Sequence, residues 1–325
     1  MRVLLNIAFI ERGWHNSFIL FFLKQVMEKK NTIHSVMIVG GGTMGWQIGL
    51  MLAQKRRAVT IYDLDPNRFP IIRNQISENL QKRVQKGKIS EQKATEIIES
   101  IQFSTKLIDT LRNFDLAIEC IPEKIELKRS VFEQFKNHGS THTIIASNSS
   151  SFEITYILDD ARFSDPFKQQ CANLHFFNPI FTLKLVEIFA TNPHVVKSLK
   201  SFVRKIAYDP VVLVKPSPAF VANRILAGVF REVFELLETG ACTPEDIDTA
   251  CTSGLKWPLG AARLADFVGL DTIYNAFLDG YQRVKLEYYK PNHYLEEKIK
   301  RGELGYKTKK GIYSYGSNEK SEKNN

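Results

Sequence analysis

Residues 35–63, SVMIVGGGTMGWQIGLMLAQKRRAVTIYD, constrain the fold more than any other stretch of the chain. Residues 36–39 form an apolar run short enough for a strand buried on both faces. The run stops at Gly40-Gly41-Gly42-Thr43-Met44-Gly45, which fits G-x-G-x-x-G. A helix-period segment follows, with Met44, Ile48, Met51 and Leu52 on one face, and a second apolar run, residues 58–62, ends on Asp63. Three glycines alone would fit a plain turn. The order strand, glycine turn, helix, strand, acid is that of a dinucleotide site. Gly40 permits the tight turn, Gly42 lets the backbone approach a pyrophosphate, and Gly45 lets helix and strand pack closely. The helix start at Thr43 and Met44 supplies free N–H groups and partial positive charge. Asp63 is placed to accept hydrogen bonds from both ribose hydroxyls, and its charge would repel the extra phosphate of NADP. The expected cofactor is therefore NAD; the plain alternative for Asp63 is a solvated acid at a strand end.

At 325 residues the chain has room for two domains, and its 44% hydrophobic and 24% charged content is that of a globular protein. Cys120, Cys171, Cys242 and Cys251 are scattered, with no C-x-x-C pair and no close histidines. They read as buried free thiols in a reducing, cytoplasmic setting, and no metal site is expected. The net charge of +9 invites a polyanion. No nucleic-acid-binding signature is present, so a phosphorylated small molecule, or simply solvated surface lysine, accounts for the surplus. Residues 1–30 do not fit the rest. The apolar run 18–23 is too short to span a bilayer, so no membrane partner is expected. Glu11 and the scarcity of serine argue against a targeting segment, despite Arg2 and Arg12. The preferred expectation is a translation start at Met27.

Residues 66–100 are polar, charged and helix-periodic, with Pro66 suited to a first helical position and Gly87 dividing two helices. Arg73, Lys82, Arg83, Lys86 and Lys88 make this hairpin basic, either as a solvated surface or as one that meets phosphates. Strand and helix then alternate: 116–120, 125–137 and 143–146, extending a doubly wound sheet. Strand ends line the ligand crevice in such sheets, which places Glu119, Glu123 and the run 147–151 (Ser-Asn-Ser-Ser-Ser) beside a nicotinamide and its substrate. The serines could equally be a polar turn capping the next helix. In residues 171–189 two apolar strands flank Asn178-Pro179, with His175 and Glu187 among apolar neighbours. A buried His beside a buried Glu is often a structural pair; in an NAD protein it is also a base with its orienter. Residues 211–214 read as the last strand. From about residue 216 the pattern becomes helical, giving three segments: an extension (1–30), a Rossmann-type domain (31–215) and an all-helical domain (216–325). The apolar helical faces suggest a homodimer, and residues 317–325 are polar.

Taken together, VGGGTMG (39–45), DLAIECIPEKIELK (115–128), ASNSSS (146–151), LHFFNP with KLVE (174–187), NRIL (223–226), DFVGLDT (266–272) and GYKTKKGIY (305–313) resemble the L-3-hydroxyacyl-CoA dehydrogenase family, including its 3-hydroxybutyryl-CoA dehydrogenases. The resemblance implies an NAD-dependent enzyme acting on an acyl-CoA. By position, His175 matches the catalytic base, Glu187 its carboxylate partner, Ser150 the serine at the reacting oxygen, and Asn223 a substrate-holding asparagine of the second domain. Asn178 matches an asparagine near nicotinamide and substrate. Glu123, Lys128 and Lys307 match NAD contacts, and Asn79 and Lys86 lie nearest the coenzyme A contacts. Ala219 and Lys309 stand where the family has glycine, while Ala261 and Phe181 replace prolines. Two rivals remain: the same chemistry on a carrier-protein-bound or non-CoA hydroxy acid, and an NAD-binding protein without catalysis.

Overall fold

The computed structural model describes residues 32–107, 114–285 and 287–316. The expected extension with its start at Met27, and the polar tail 317–325, lie outside the described residues. The chain divides into two compact units between Ser217 and Pro218.

The first unit is a Rossmann-type α/β domain. Its elements run β1 (Ser35–Val39), α1 (Thr43–Gln54), β2 (Ala58–Tyr62), α2 (Arg68–Gln85), α3 (Glu91–Ser100), β3 (Ile101–Ser104), β4 (Leu116–Glu119), α4 (Ile125–His138) and β5 (Ile144–Ser147). They continue through the short α5 (Ile154–Ile157) and α6 (Asp165–Lys168) to β6 (Cys171–Phe176), β7 (Leu185–Phe189), α7 (Pro193–Lys205) and β8 (Asp209–Val212). The eight strands form one sheet in the order β3-β2-β1-β4-β5-β6-β7-β8. Val36, Met37, Ile38 and Val39 are fully buried, as a central strand covered on both faces requires. The order reverses between β1 and β4, so the glycine turn and the end of β4 open on the same crevice.

All neighbours pair in parallel except β6 and β7, which are antiparallel. The turn between Phe176 and Leu185 is too short for a crossover, which needs roughly a dozen residues, so the chain can only fold back on itself. That reversal makes His175 and Glu187 direct cross-strand partners.

Some boundaries differ from the sequence reading. Helix α2 begins at Arg68, not at Pro66, because Asp65 Oδ1 accepts the Asn67 N–H at 3.0 Å and holds the chain in a side-chain turn. Strand β8 begins at Asp209, where the Asp209 N–H donates to the Lys184 carbonyl, and Val214 is left exposed. Cys171 and Cys251 are buried, whereas Cys120 and Cys242 are half-buried; all four are free thiols. The basic hairpin forms as read. Ile72, Ile76 and Leu80 of α2 are its buried face, the chain turns at Gly87, and Ser90 Oγ caps α3 by accepting the Lys93 N–H.

The second unit is helical: α8 (Ala222–Glu238), α9 (Pro244–Thr249), a π-turn (Ala250–Gly254), α10 (Ala261–Val268), α11 (Leu270–Val284) and α12 (His293–Lys300). Thr243 Oγ1 caps α9 at the Asp246 N–H, and Pro244 occupies its first turn, as the sequence indicates. Phe230, Phe234, Ala262, Leu270 and Leu295 lie in its core. Buried Asp266 fastens the last described segment by accepting the N–H groups of Ile312 and Tyr313 and the Tyr315 hydroxyl. No helix among the described residues is long and apolar enough to cross a membrane.

Candidate active site

The first half of the site is a cradle for a dinucleotide. Gly40 has φ +105°, a conformation that side-chain-bearing residues rarely adopt. A Cβ on Gly45 would lie 1.8 Å from the Gly40 carbonyl, so helix α1 can approach β1 only with glycine there. A Cβ on Gly42, by contrast, would meet nothing within 4 Å: open space lies in front of that backbone. Helix α1 starts at Gly42 with no side-chain cap and no acid in its first turn. Its leading N–H groups, including those of Thr43 and Met44, thus face a volume suited to phosphate oxygens. The residues present fit NAD.

Asp63 closes the other end. Its Oδ2 accepts the Gly41 N–H at 2.8 Å and its Oδ1 accepts the Asp65 N–H at 3.1 Å, which fixes the carboxylate beside the glycine turn. Arg68, the first residue of α2, lies 3.5 Å from Asp63 Oδ2 through Nε. Sequence reasoning gave Arg68 no place here, although an arginine five positions after the strand-end acid is a visible signal.

The second half gathers on the ends of β5, β6 and β7. His175 Nδ1 sits 3.0 Å from Glu187 Oε2, and both residues are buried. An ionised carboxylate only accepts, so the pair places the proton on Nδ1 and leaves Nε2 as the basic nitrogen. The Phe177 ring packs against the imidazole at 4.4 Å between centroids. Asn148 Oδ1 accepts the Phe176 N–H at 2.9 Å and ties the end of β6 to the serine run.

That run is pinned on either side of Ser150. The Ser149 hydroxyl donates to Glu123 in a short contact and accepts the Phe152 N–H at 2.8 Å. The Ser151 N–H donates to Glu123 Oε1 at 3.0 Å. Asn173 holds the next stretch, accepting the Ile154 N–H and donating to the Phe152 carbonyl. Ser150 itself is exposed. Ser147 and Ser149 serve the polar turn, their hydroxyls engaged by Glu119, Glu123 and backbone N–H groups.

Beneath lies an ion network. Lys128 is 1% exposed, and its Nζ lies 2.8 Å from Glu119 Oε1, 2.8 Å from Glu123 Oε2 and 3.3 Å from the Ile121 carbonyl. Its three N–H groups are engaged by these partners. Glu119 is fully buried and likewise lies under the crevice, not at its surface; it takes the Ser147 hydroxyl at 2.6 Å and the Ile121 N–H at 2.8 Å. Burial pushes the Glu123 carboxyl up, but the Lys128 charge and the hydrogen bonds from Lys128, Ser149 and Ser151 outweigh it and hold it below its ordinary value. Burial likewise pushes Lys128 down, and the two carboxylates outweigh that, leaving its ammonium above its ordinary value. The supports Asn148, Asn173 and Glu119 are polar residues at or next to apolar strands, the one signal that marks them in the sequence.

Asn178 is exposed on the β6–β7 turn, before a cis peptide to Pro179. On the hairpin, Asn79 is half-buried and Lys86 exposed. In the second unit, Asn223 is half-buried in the first turn of α8, and Lys307 pairs with Asp271. Among the described residues no group of three His, Cys, Asp or Glu could hold a metal ion.

Residues 35–216 match the NAD-binding domain of 3-hydroxyacyl-CoA dehydrogenase, and residues 220–315 match its C-terminal domain. The chain is 34% identical over 319 residues to the mitochondrial hydroxyacyl-coenzyme A dehydrogenase of Rattus norvegicus, covering 95% of this chain and 99% of that one. It is 31% identical over 286 residues to a probable 3-hydroxybutyryl-CoA dehydrogenase of Bacillus subtilis, covering 87% and 98%. Among solved structures, the (S)-3-hydroxybutyryl-CoA dehydrogenase of Ralstonia eutropha superposes with a TM-score of 0.80 at 31% identity, covering 88% of this chain and 100% of that one.

Proposed function

The chain belongs to the 3-hydroxyacyl-CoA dehydrogenase family, and from that premise we propose that it interconverts an (S)-3-hydroxyacyl-CoA and its 3-oxoacyl-CoA with His175 as the proton-transferring residue. NAD, when bound, supplies the hydride chemistry at the substrate's C3. His175 Nε2 takes the hydroxyl proton in the oxidative direction and returns it in the reductive one. Glu187, 3.0 Å from Nδ1, fixes the tautomer and offsets the imidazolium charge. Ser150 and Asn223 donate to the oxygen whose charge changes. Glu123 and Asn178 border the nicotinamide, and Lys307 is a further cofactor contact. Asn79 and Lys86, on the basic hairpin, meet the phosphates of coenzyme A. Four free cysteines suit a reducing, cytoplasmic setting.

The buried His175–Glu187 pair is the observation that carries this reading. Loss of NADH absorbance with acetoacetyl-CoA tests it. The expected result is NADH consumption that falls about a hundredfold or more in His175→Ala, with NADH binding retained. Unchanged turnover in that variant would remove His175 from the mechanism. Consumption with free acetoacetate or an acyl-carrier thioester, but not with the CoA ester, would transfer the chemistry to another substrate.

A further inference from the structure

The cofactor pocket carries a cation that a strictly NAD-selective site does not need. A strand-end carboxylate discriminates against NADP because a second anion at the ribose 2′ position would sit against it. Here that carboxylate is already compensated. Asp63 Oδ2 takes the Gly41 N–H at 2.8 Å and Oδ1 takes the Asp65 N–H at 3.1 Å, and the Arg68 guanidinium stands 3.5 Å from Oδ2. A second long contact, 3.5 Å from Arg68 Nη2 to the Gly41 carbonyl, draws the guanidinium over the glycine turn. The nearest other acid, Asp65, is committed to Asn67, accepting from its backbone N–H at 3.0 Å and its side-chain Nδ2 at 2.9 Å. Asp63 is thus largely enclosed, with its side chain 14% exposed, while that of Arg68 is 48% exposed. At this end of the site the Arg68 guanidinium is thus more exposed than the Asp63 carboxylate it faces.

From this arrangement we infer that Arg68 sets cofactor specificity: it screens Asp63 and offers N–H donors to a ribose 2′-phosphate, so the site takes NADP(H) as well as NAD(H). A guanidinium has five N–H donors in a planar fork, and its two contacts here are both long. Its exposed fork offers a phosphate the bidentate partner that suits its geometry. Asp63 continues to serve the ribose hydroxyls of NAD. The inference rests on residues 35–63 binding a dinucleotide, and on nothing in the acyl-CoA half of the site.

The test is a titration of nicotinamide fluorescence with NADH and with NADPH, on the full chain and on Arg68→Ala and Arg68→Lys. Both cofactors should bind the unaltered protein. Arg68→Ala should weaken NADPH binding by about tenfold more than NADH binding, the scale of one charge-assisted contact. Arg68→Lys, which keeps the charge and loses the fork, should fall between. Added salt should weaken NADPH binding more than NADH binding in the unaltered protein. If NADH binds and NADPH does not, or if Arg68→Ala weakens both equally, Arg68 only braces Asp63 and the inference fails alone. If neither binds, the dinucleotide reading itself has failed.

Discussion

A lysine sealed between two carboxylates is a costly arrangement unless every charge has a partner, and in this chain every one does. Lys128 is held by Glu119, Glu123 and a carbonyl, and Glu123 in turn grips the serine run on both sides of Ser150. The network therefore fixes the residues on both sides of Ser150. The sign of its pH dependence follows from the shift. Glu123 lies below its ordinary value of 4.5, so its contribution is fully present above that value and is lost as the pH falls through its lower folded-state value. Thermal unfolding of Glu123→Gln should fall short of the unaltered protein at neutral pH, with the gap closing as the pH falls below 4.5. A gap that stays constant over that range would show that the carboxylate's charge does not matter. Lys128, shifted upward, keeps its share until the pH passes its ordinary value of 10.5. At this scale the sequence marks isolated buried charges better than the networks that hold them. His175 and Glu187 stand out as charges in apolar runs. Nothing in the sequence pairs Lys128 with Glu119 and Glu123; only the fold reveals that the two carboxylates close over it.

Elements were legible where a local rule fixes them and obscure where a partner does. The glycine turn, the N-caps at Ser90 and Thr243 and the break at Gly87 are chain-local, each set by residues adjacent in sequence. Strand direction is not local. The antiparallel β6–β7 pair follows from a short turn, yet it alone brings His175 and Glu187 opposite each other. Strand β8 starts at Asp209 because β7 offers a partner there, which no propensity of Asp209 or Pro210 foretells. The two positions where the family's glycine is replaced have a common physical basis: Ala219 has φ +60° and Lys309 φ +60°. A side chain costs roughly 1 kcal/mol in that conformation, and glycine's greater unfolded-state freedom returns part of it. Ala219→Gly should therefore raise Tm by about 1–3 °C. A lower Tm in that variant would mean that unfolded-state entropy outweighs the strain.

For the molecule as a whole, the second unit raises the question of what covers its surface. Helix α8 buries Phe230, Val233 and Phe234 on one face. Ile225 and Leu236, eleven apart on α8, form a thin exposed stripe on which Ile225 is 65% exposed, while Val229 between them packs against the core. Leu255, Phe267 and Val268 are exposed in the same unit. Single exposed apolar residues are ordinary; two on one long helix, with further large apolar residues exposed in the same unit, are what an interface between copies would cover. A second copy of the chain is the proposed occupant, the homodimer that the helical faces suggest in the sequence. A stable interface needs on the order of 1,000 Å² or more of buried surface, which a helical face of this length can supply when paired with its own copy. Light scattering during size exclusion should give about twice the 37.2 kDa chain mass. Ile225→Asp and Leu236→Asp together place a charge on each end of the stripe, and a twofold interface receives each change twice. That variant should run as a folded monomer, with NADH binding retained in the first unit. A 37.2 kDa species from the unaltered protein would refute the dimer. An unaltered dimer in the double variant would leave the assembly standing and remove α8 from its interface.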